Sequence, residues 1–73
     1  MKTDITKVIS FTYKSFFAGR DLKVYHATGE KIWTAPWYSY LFKDEAGNRW
    51  YLDQHDLERY IGCGYITDVQ VAN

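Results

Sequence analysis

The chain has 73 residues, 47% of them hydrophobic and 25% charged, with nine basic and nine acidic side chains and no net charge. That length holds one domain, residues 1–73, and excludes a second independent core. Fourteen Phe, Trp and Tyr residues exclude a disordered tail, a single cysteine excludes a disulfide scaffold, and charge neutrality argues against strong nonspecific nucleic-acid binding.

Period-two alternation of β-branched and aromatic residues dominates the chain. In Ile5–Phe17 the apolar positions are Ile5, Ile9, Phe11, Tyr13 and Phe17, with Ser10, Thr12 and Lys14 between them. This predicts one long strand, or two joined by a bend near Lys14–Ser15. Ala18–Asp21 reads as a turn. Leu22–Ala27 alternates again, with Leu22, Val24 and His26 on one face and Lys23 and Tyr25 on the other. Thr28-Gly29-Glu30 reads as the next turn. Ile32–Thr34 is a short strand stopped by Pro36, which has no N–H for a ladder.

Trp37–Lys43 is a further strand, and Arg49–Leu52 returns as its partner through the loop Asp44–Asn48, where Gly47 or Asn48 suits positive φ. Asp53–Ile61 carries the helical signal. Asp53 serves as N-cap, Asp56 favours the positive end of the dipole, and Leu57, Tyr60 and Ile61 form one buried stripe. Gly62 reads as the stop. Tyr65–Val71 closes the chain as a strand with Tyr65, Thr67, Val69 and Val71 on one face. The expected core includes Phe11, Leu41, Trp50, Leu57 and Val69.

Tyr38, Tyr40 and Phe42, then Asp44, Glu45 and Gly47, then Trp50 and Tyr51, then Asp56-Leu57-Glu58 follow in an order that resembles the distal half of SH3-like barrels. The same pattern is similar to small barrel proteins encoded by bacteriophages. The resemblance covers residues 38–58. It implies a five- or six-stranded SH3-like barrel, mainly β, with one short helix or 3₁₀ turn near 53–61 and Leu57 as the plug. An α+β curved antiparallel sheet carrying the helix on one face is the alternative. The acidic, tyrosine-bearing loop of peptide-binding SH3 domains has no counterpart here, so recognition of proline-rich peptides is not implied.

The chain lacks GxGxxG, Walker, CxxC and HExxH patterns. Asp53-Gln54-His55-Asp56 gathers metal-capable side chains, but capping and surface charge account for them. Cys63 between Gly62 and Gly64 reads as a small turn residue, since nothing places His26 or His55 beside it as a base. His26 reads as a packed or rim histidine. No catalytic residue, metal or cofactor is expected.

Binding is the remaining expectation. Trp33, Trp37 and Tyr38 flank Pro36 and are of the types enriched at binding hot spots. Residues 1–43 carry a charge of +4 and residues 44–73 a charge of −4. If that asymmetry is spatial, Asp44, Glu45, Asp53, Asp56 and Glu58 form a negative patch that meets a basic protein surface. The expected function is a non-enzymatic, phage-type inhibitor or modulator of a host protein, such as a nucleic-acid-handling enzyme. The alternative is a nucleic-acid-binding small barrel, with Tyr13, Tyr25, Tyr38 and Tyr40 as a stacking platform among Lys14, Lys23 and Lys43. No apolar leader follows Met1, so a cytoplasmic site, that of the host for a phage protein, is expected.

Overall fold

The computed structural model describes residues 3–14 and 22–72. The expected bend after Lys14 and the turn Ala18–Asp21 lie outside the described residues. In chain order the elements are a 3₁₀ turn Ile5–Lys7, β1 Val8–Lys14, β2 Leu22–Thr34, β3 Trp37–Lys43, β4 Arg49–Leu52, α1 Gln54–Gly62 and β5 Ile66–Val71. All five strands join one antiparallel sheet in the order β4-β3-β2-β1-β5. Among the described residues, the mainly β class, the five strands and the single α-helix agree with the sequence. The sheet does not close into a barrel, because its two ends, β4 and β5, share no ladder. After the four residues of β4 the chain turns directly into α1.

The start of the chain departs from the alternation. Asp4 accepts hydrogen bonds from the Thr6 N–H at 3.0 Å and the Thr6 hydroxyl at 2.7 Å. Such local side-chain bonds compete with a ladder, and here they wind residues 5–7 into a turn. Two register irregularities in the β1–β5 pairing then bring Val8 inward and leave Ile9 51% exposed.

The second correction concerns residues 28–30. They do not reverse the chain. β2 runs unbroken from Leu22 to Thr34, and the pairing with β3 shifts between Ala27↔Phe42 and Lys31↔Tyr40. The extra residues form a bulge. Thr28 holds it, donating from its hydroxyl to the Leu41 carbonyl and accepting from the Glu30 N–H. One strand therefore replaces the two expected. Its faces alternate as read, with Tyr25 buried and Leu22, Val24 and His26 exposed.

Phe11 sits at the centre of the core with no exposed surface. Its ring meets Tyr25 from β2 at 5.6 Å, Phe42 from β3 at 5.0 Å and Trp50 from β4 at 5.6 Å. Ile5, Val8, Leu52, Leu57 and Ile66 complete the cluster, with Trp50 and Val69 partly buried against it. Leu41 is buried outside this cluster. In β5 the inward residue is Ile66 rather than Thr67 or Val71, and Asp68 at φ 51 shifts the alternation so that Val69 also packs inward.

Asp53 caps α1, accepting from the Asp56 N–H at 2.7 Å. Gln54 ties the helix to the start of the chain. Its Oε1 accepts from the Ile5 N–H at 2.8 Å and its Nε2 donates to the Thr3 carbonyl at 2.6 Å. The stop glycine lies two residues later than the sequence suggests, at Gly64 instead of Gly62. Gly62 is still helical, and Gly64 takes the left-handed conformation at φ 81. The Gly64 N–H bonds the Ile61 carbonyl and the Tyr65 N–H bonds the Tyr60 carbonyl, the paired bonds of a Schellman stop.

Leu57→Ala is expected to cost about 2–5 kcal/mol in denaturant melts, through lost transfer energy and a cavity. A loss below about 1 kcal/mol would show that Leu57 does not plug the core. The two helix-end glycines are expected to respond with opposite signs. A Cβ on Gly62 meets open space, so Gly62→Ala stabilises by about 0.5–1 kcal/mol. Gly64→Ala destabilises by about 1–2 kcal/mol, because the left-handed conformation crowds a Cβ.

Candidate binding surface

β1 meets β2 only as far as Ser10↔His26, and β4 meets β3 only as far as Tyr40↔Leu52. Beyond Tyr40, which Lys31 and Leu52 flank, β2 and β3 continue alone as a two-stranded ribbon, with Ile32↔Ser39, Trp33↔Tyr38 and Thr34↔Trp37 in register. A tight turn at Ala35-Pro36, whose peptide bond is cis, joins them. Thr34 donates from its hydroxyl to the Trp37 carbonyl at 3.1 Å. With that proton committed, the Ser39 hydroxyl donates to Thr34 at 2.7 Å. These bonds hold the tip of the ribbon.

The ribbon is apolar on both sides. Trp33 and Tyr38 share one face, 60% and 43% exposed, with ring centroids 5.1 Å apart and near-perpendicular planes. Lys31 Nζ lies 4.4 Å from the centre of the Tyr38 ring, a cation–π contact. The other face carries Ile32 and Trp37, 44% and 47% exposed. Trp37 stacks on His55 of α1 at 6.4 Å. That contact sets Trp37 beside the first turn of the helix, where Asp53 and Asp56 stand.

The eight residues singled out in the sequence therefore divide. Trp33, Trp37 and Tyr38 gather on the ribbon. Asp53, Asp56 and Glu58 lie on α1 and its cap. Asp44 and Glu45 lie at the other end of β4, in the β3–β4 hairpin. That strand separates the two acidic groups by about 10 Å or more, at ~3.3 Å per residue. Local partners also use the acids. Asp53 caps the helix, and Asp56 pairs with Arg59 at 3.1 Å. Ile32 and His55 belong to the surface but were not among the expected residues. Ile32 is placed by its cross-strand register and His55 by its stacking on Trp37, and the sequence displays neither.

Asp44 is held by its own hairpin. Asn48 donates to it from the backbone N–H and from Nδ2, each at 2.8 Å, and Gly47 at φ 86 makes the reversal possible. These bonds, the Asn48 side chain's first, hold the Asp44 carboxyl below the usual carboxylate range, with help from the Lys23 charge. Burial, the Asp44 charge and the neighbouring Tyr13 push the Tyr25 phenol up. Cys63 is exposed. Among the described residues, no three metal-capable side chains converge and no helix is long and apolar enough to cross a membrane.

Compared with known protein families, curated proteins and solved structures, the chain matches none. The functional reading therefore rests on the surface itself.

A folded pKa below the unfolded value stabilises the fold above the unfolded pKa, and that contribution is lost as pH falls through the folded value. Asn48→Ala is expected to move the Asp44 midpoint up toward the ordinary carboxylate value in an NMR titration. An unchanged midpoint would show that the Asn48 side chain does not hold the charge.

Proposed function

We propose that the protein is a non-enzymatic binding module that engages a protein partner through the β2–β3 ribbon. One observation carries this reading: four large apolar side chains, Ile32, Trp33, Trp37 and Tyr38, stand exposed on a seven-residue stretch that has lost its neighbouring strands. Their exposure is not needed for the core, which is complete without them. Contiguous exposed apolar patches mark interaction sites, and Trp and Tyr dominate binding hot spots. The rigid tip lowers the ordering cost on binding.

Asp53 and Asp56 beside Trp37 favour a partner with a basic surface around an apolar pocket. Complementary charge speeds encounter, while the aromatic anchors hold the complex. The phage-type modulator of a host protein rests on the sequence resemblance of residues 38–58 to small phage-encoded barrels, and the exposed ribbon is the surface such a modulator would use. The nucleic-acid alternative loses its continuous platform. Tyr38 stands on the ribbon, while Tyr13 and Tyr25 meet each other at 6.3 Å at the far end of the sheet.

The test is capture from bacterial lysate with nuclease treatment, using the wild-type chain and the pair Trp33→Ala with Trp37→Ala. The expected outcome is a stoichiometric protein partner that survives nuclease and is lost with the variant, each anchor costing about 2 kcal/mol of binding. Trp33→Ala also removes the Tyr38 ring contact, worth about 1 kcal/mol of stability, so both chains are compared well below their melting temperatures. Capture that disappears with nuclease, or that the variant retains in full, would overturn this reading. Charge reversal at Asp56 and Glu58, which leaves the Asp53 cap in place, is expected to slow association and to weaken its salt dependence, read by stopped-flow mixing with the captured partner.

A further inference from the structure

A second surface lies at the opposite end of the sheet from the ribbon. Tyr13, Tyr25, Arg49, Trp50 and Tyr60 line an open depression of about 260 Å³. Four elements supply them: β1, β2, β4 and α1. Trp50 is the hub. The rings of Tyr13, Tyr25 and Tyr60 lie 4.8, 5.3 and 5.3 Å from it, at interplanar angles of 70°, 72° and 77°. Edge-to-face packing from three sides fixes the rings without side-chain hydrogen bonds.

The polar groups of this lining are all donors. Arg49 offers its guanidinium, Trp50 its indole N–H and the tyrosines three phenol hydroxyls, and only the phenols can also accept. Among the described residues none of these groups is spent on another protein group, and Arg49 forms no ion pair. No carboxylate lines the depression. Asp44, which influences Tyr25, is bound by Asn48 and faces the Lys23 charge. Lys23 stands across from Tyr13 and Lys43 across from Arg49, so further cations flank the lining. The raised phenol of Tyr25 stays protonated and able to donate.

Aromatic rings around a hollow suggest a cage for an ammonium group, but two observations oppose it. The three phenol rings each turn onto the indole instead of facing one another around a common centre, and a guanidinium stands on the rim. A lining of donors beside a free guanidinium matches an oxyanion, which Arg grips bidentately. The volume lies below that of pockets for drug-sized ligands and suits one phosphate with part of the nucleoside that carries it.

We propose that the Tyr13–Tyr25–Arg49–Trp50–Tyr60 depression is a binding site for a nucleotide phosphate, with Arg49 gripping the phosphate and the aromatic lining receiving the nucleoside. The phosphate belongs either to a free mononucleotide or to a single strand. The site is independent of the ribbon, from which β3 separates it by about 15 Å at ~3.3 Å per residue.

The test follows the indole N–H resonances of the intact chain by NMR, with the Trp50 peak assigned through Trp50→Phe. AMP, inorganic phosphate, adenosine and a single-stranded oligothymidylate are titrated separately. AMP is expected to shift the Trp50 peak and to leave those of Trp33 and Trp37 in place, with adenosine binding about tenfold more weakly and inorganic phosphate binding only through Arg49. Arg49→Gln, at an exposed position, is expected to weaken AMP about tenfold, and Tyr60→Phe about fivefold, with the fold unchanged. Oligothymidylate tighter than AMP on the same Trp50 peak assigns the site to a strand, and equal affinities assign it to a free nucleotide. An unmoved Trp50 peak with both nucleotide probes, adenosine as tight as AMP, or full affinity in Arg49→Gln would overturn the proposal. So would a phosphopeptide that moves the peak where neither nucleotide does. Shifts confined to Trp33 and Trp37 would overturn it while leaving the ribbon as a binding surface.

Discussion

The contact of the Phe11 ring with Tyr25, Phe42 and Trp50 is the constraint on which the rest of the structure depends. Those three rings come from three different strands, so one side chain on β1 sets how β2, β3 and β4 curve around it. A chain of this size has little interior to share among many residues. A few large rings therefore replace the many aliphatic contacts of a bigger domain, and their geometry, stacked on Tyr25 and edge-to-face on Phe42 and Trp50, fixes orientation as well as burial. α1 then covers what the rings leave open. Leu57 enters the cluster and Gln54 fastens the helix to the first residues described.

Much of this architecture was legible where one local cause acts alone. Trp37–Lys43, the Asp44–Asn48 hairpin, Arg49–Leu52 and the Asp53 cap follow from alternation, turn chemistry and capping, each within a few residues. The failures share another cause. Thr28-Gly29-Glu30 has the composition of a turn, yet the Thr28 hydroxyl reaches Leu41 across the ladder and makes a bulge. The bulge at Asp68 likewise depends on β1, a partner distant in the chain, and moves the inward position to Ile66. Gly62 and Gly64 both suit a helix stop, and only the carbonyls they can reach decide between them.

The same division holds for the candidate surface. That Trp33, Trp37 and Tyr38 cluster was readable from the short connection around Pro36. That they are exposed was not, because exposure depends on where β1 and β4 end beside the ribbon. The charge asymmetry of the two halves did not become one patch. The loop acids and the helix acids are close in sequence but sit at the two ends of β4, and capping and pairing occupy them locally. The two aromatic groups now have distinct characters: ribbon rings turned outward, and a Trp50-centred group half inside the core with donors at its rim.

The β1–β5 ladder has a consequence for how the chain acquires its fold. Val8 pairs with Val71 and Tyr13 with Ile66, so β1, which carries Phe11, is completed by β5. The β2–β3 and β3–β4 hairpins join near neighbours and form early, since closing a short loop costs little entropy. Phe11 and Ile5 cannot be sealed from water until Ile66 arrives. During synthesis the nascent chain therefore carries paired hairpins without a closed interior, and the core is sealed only once β5 has left the ribosome.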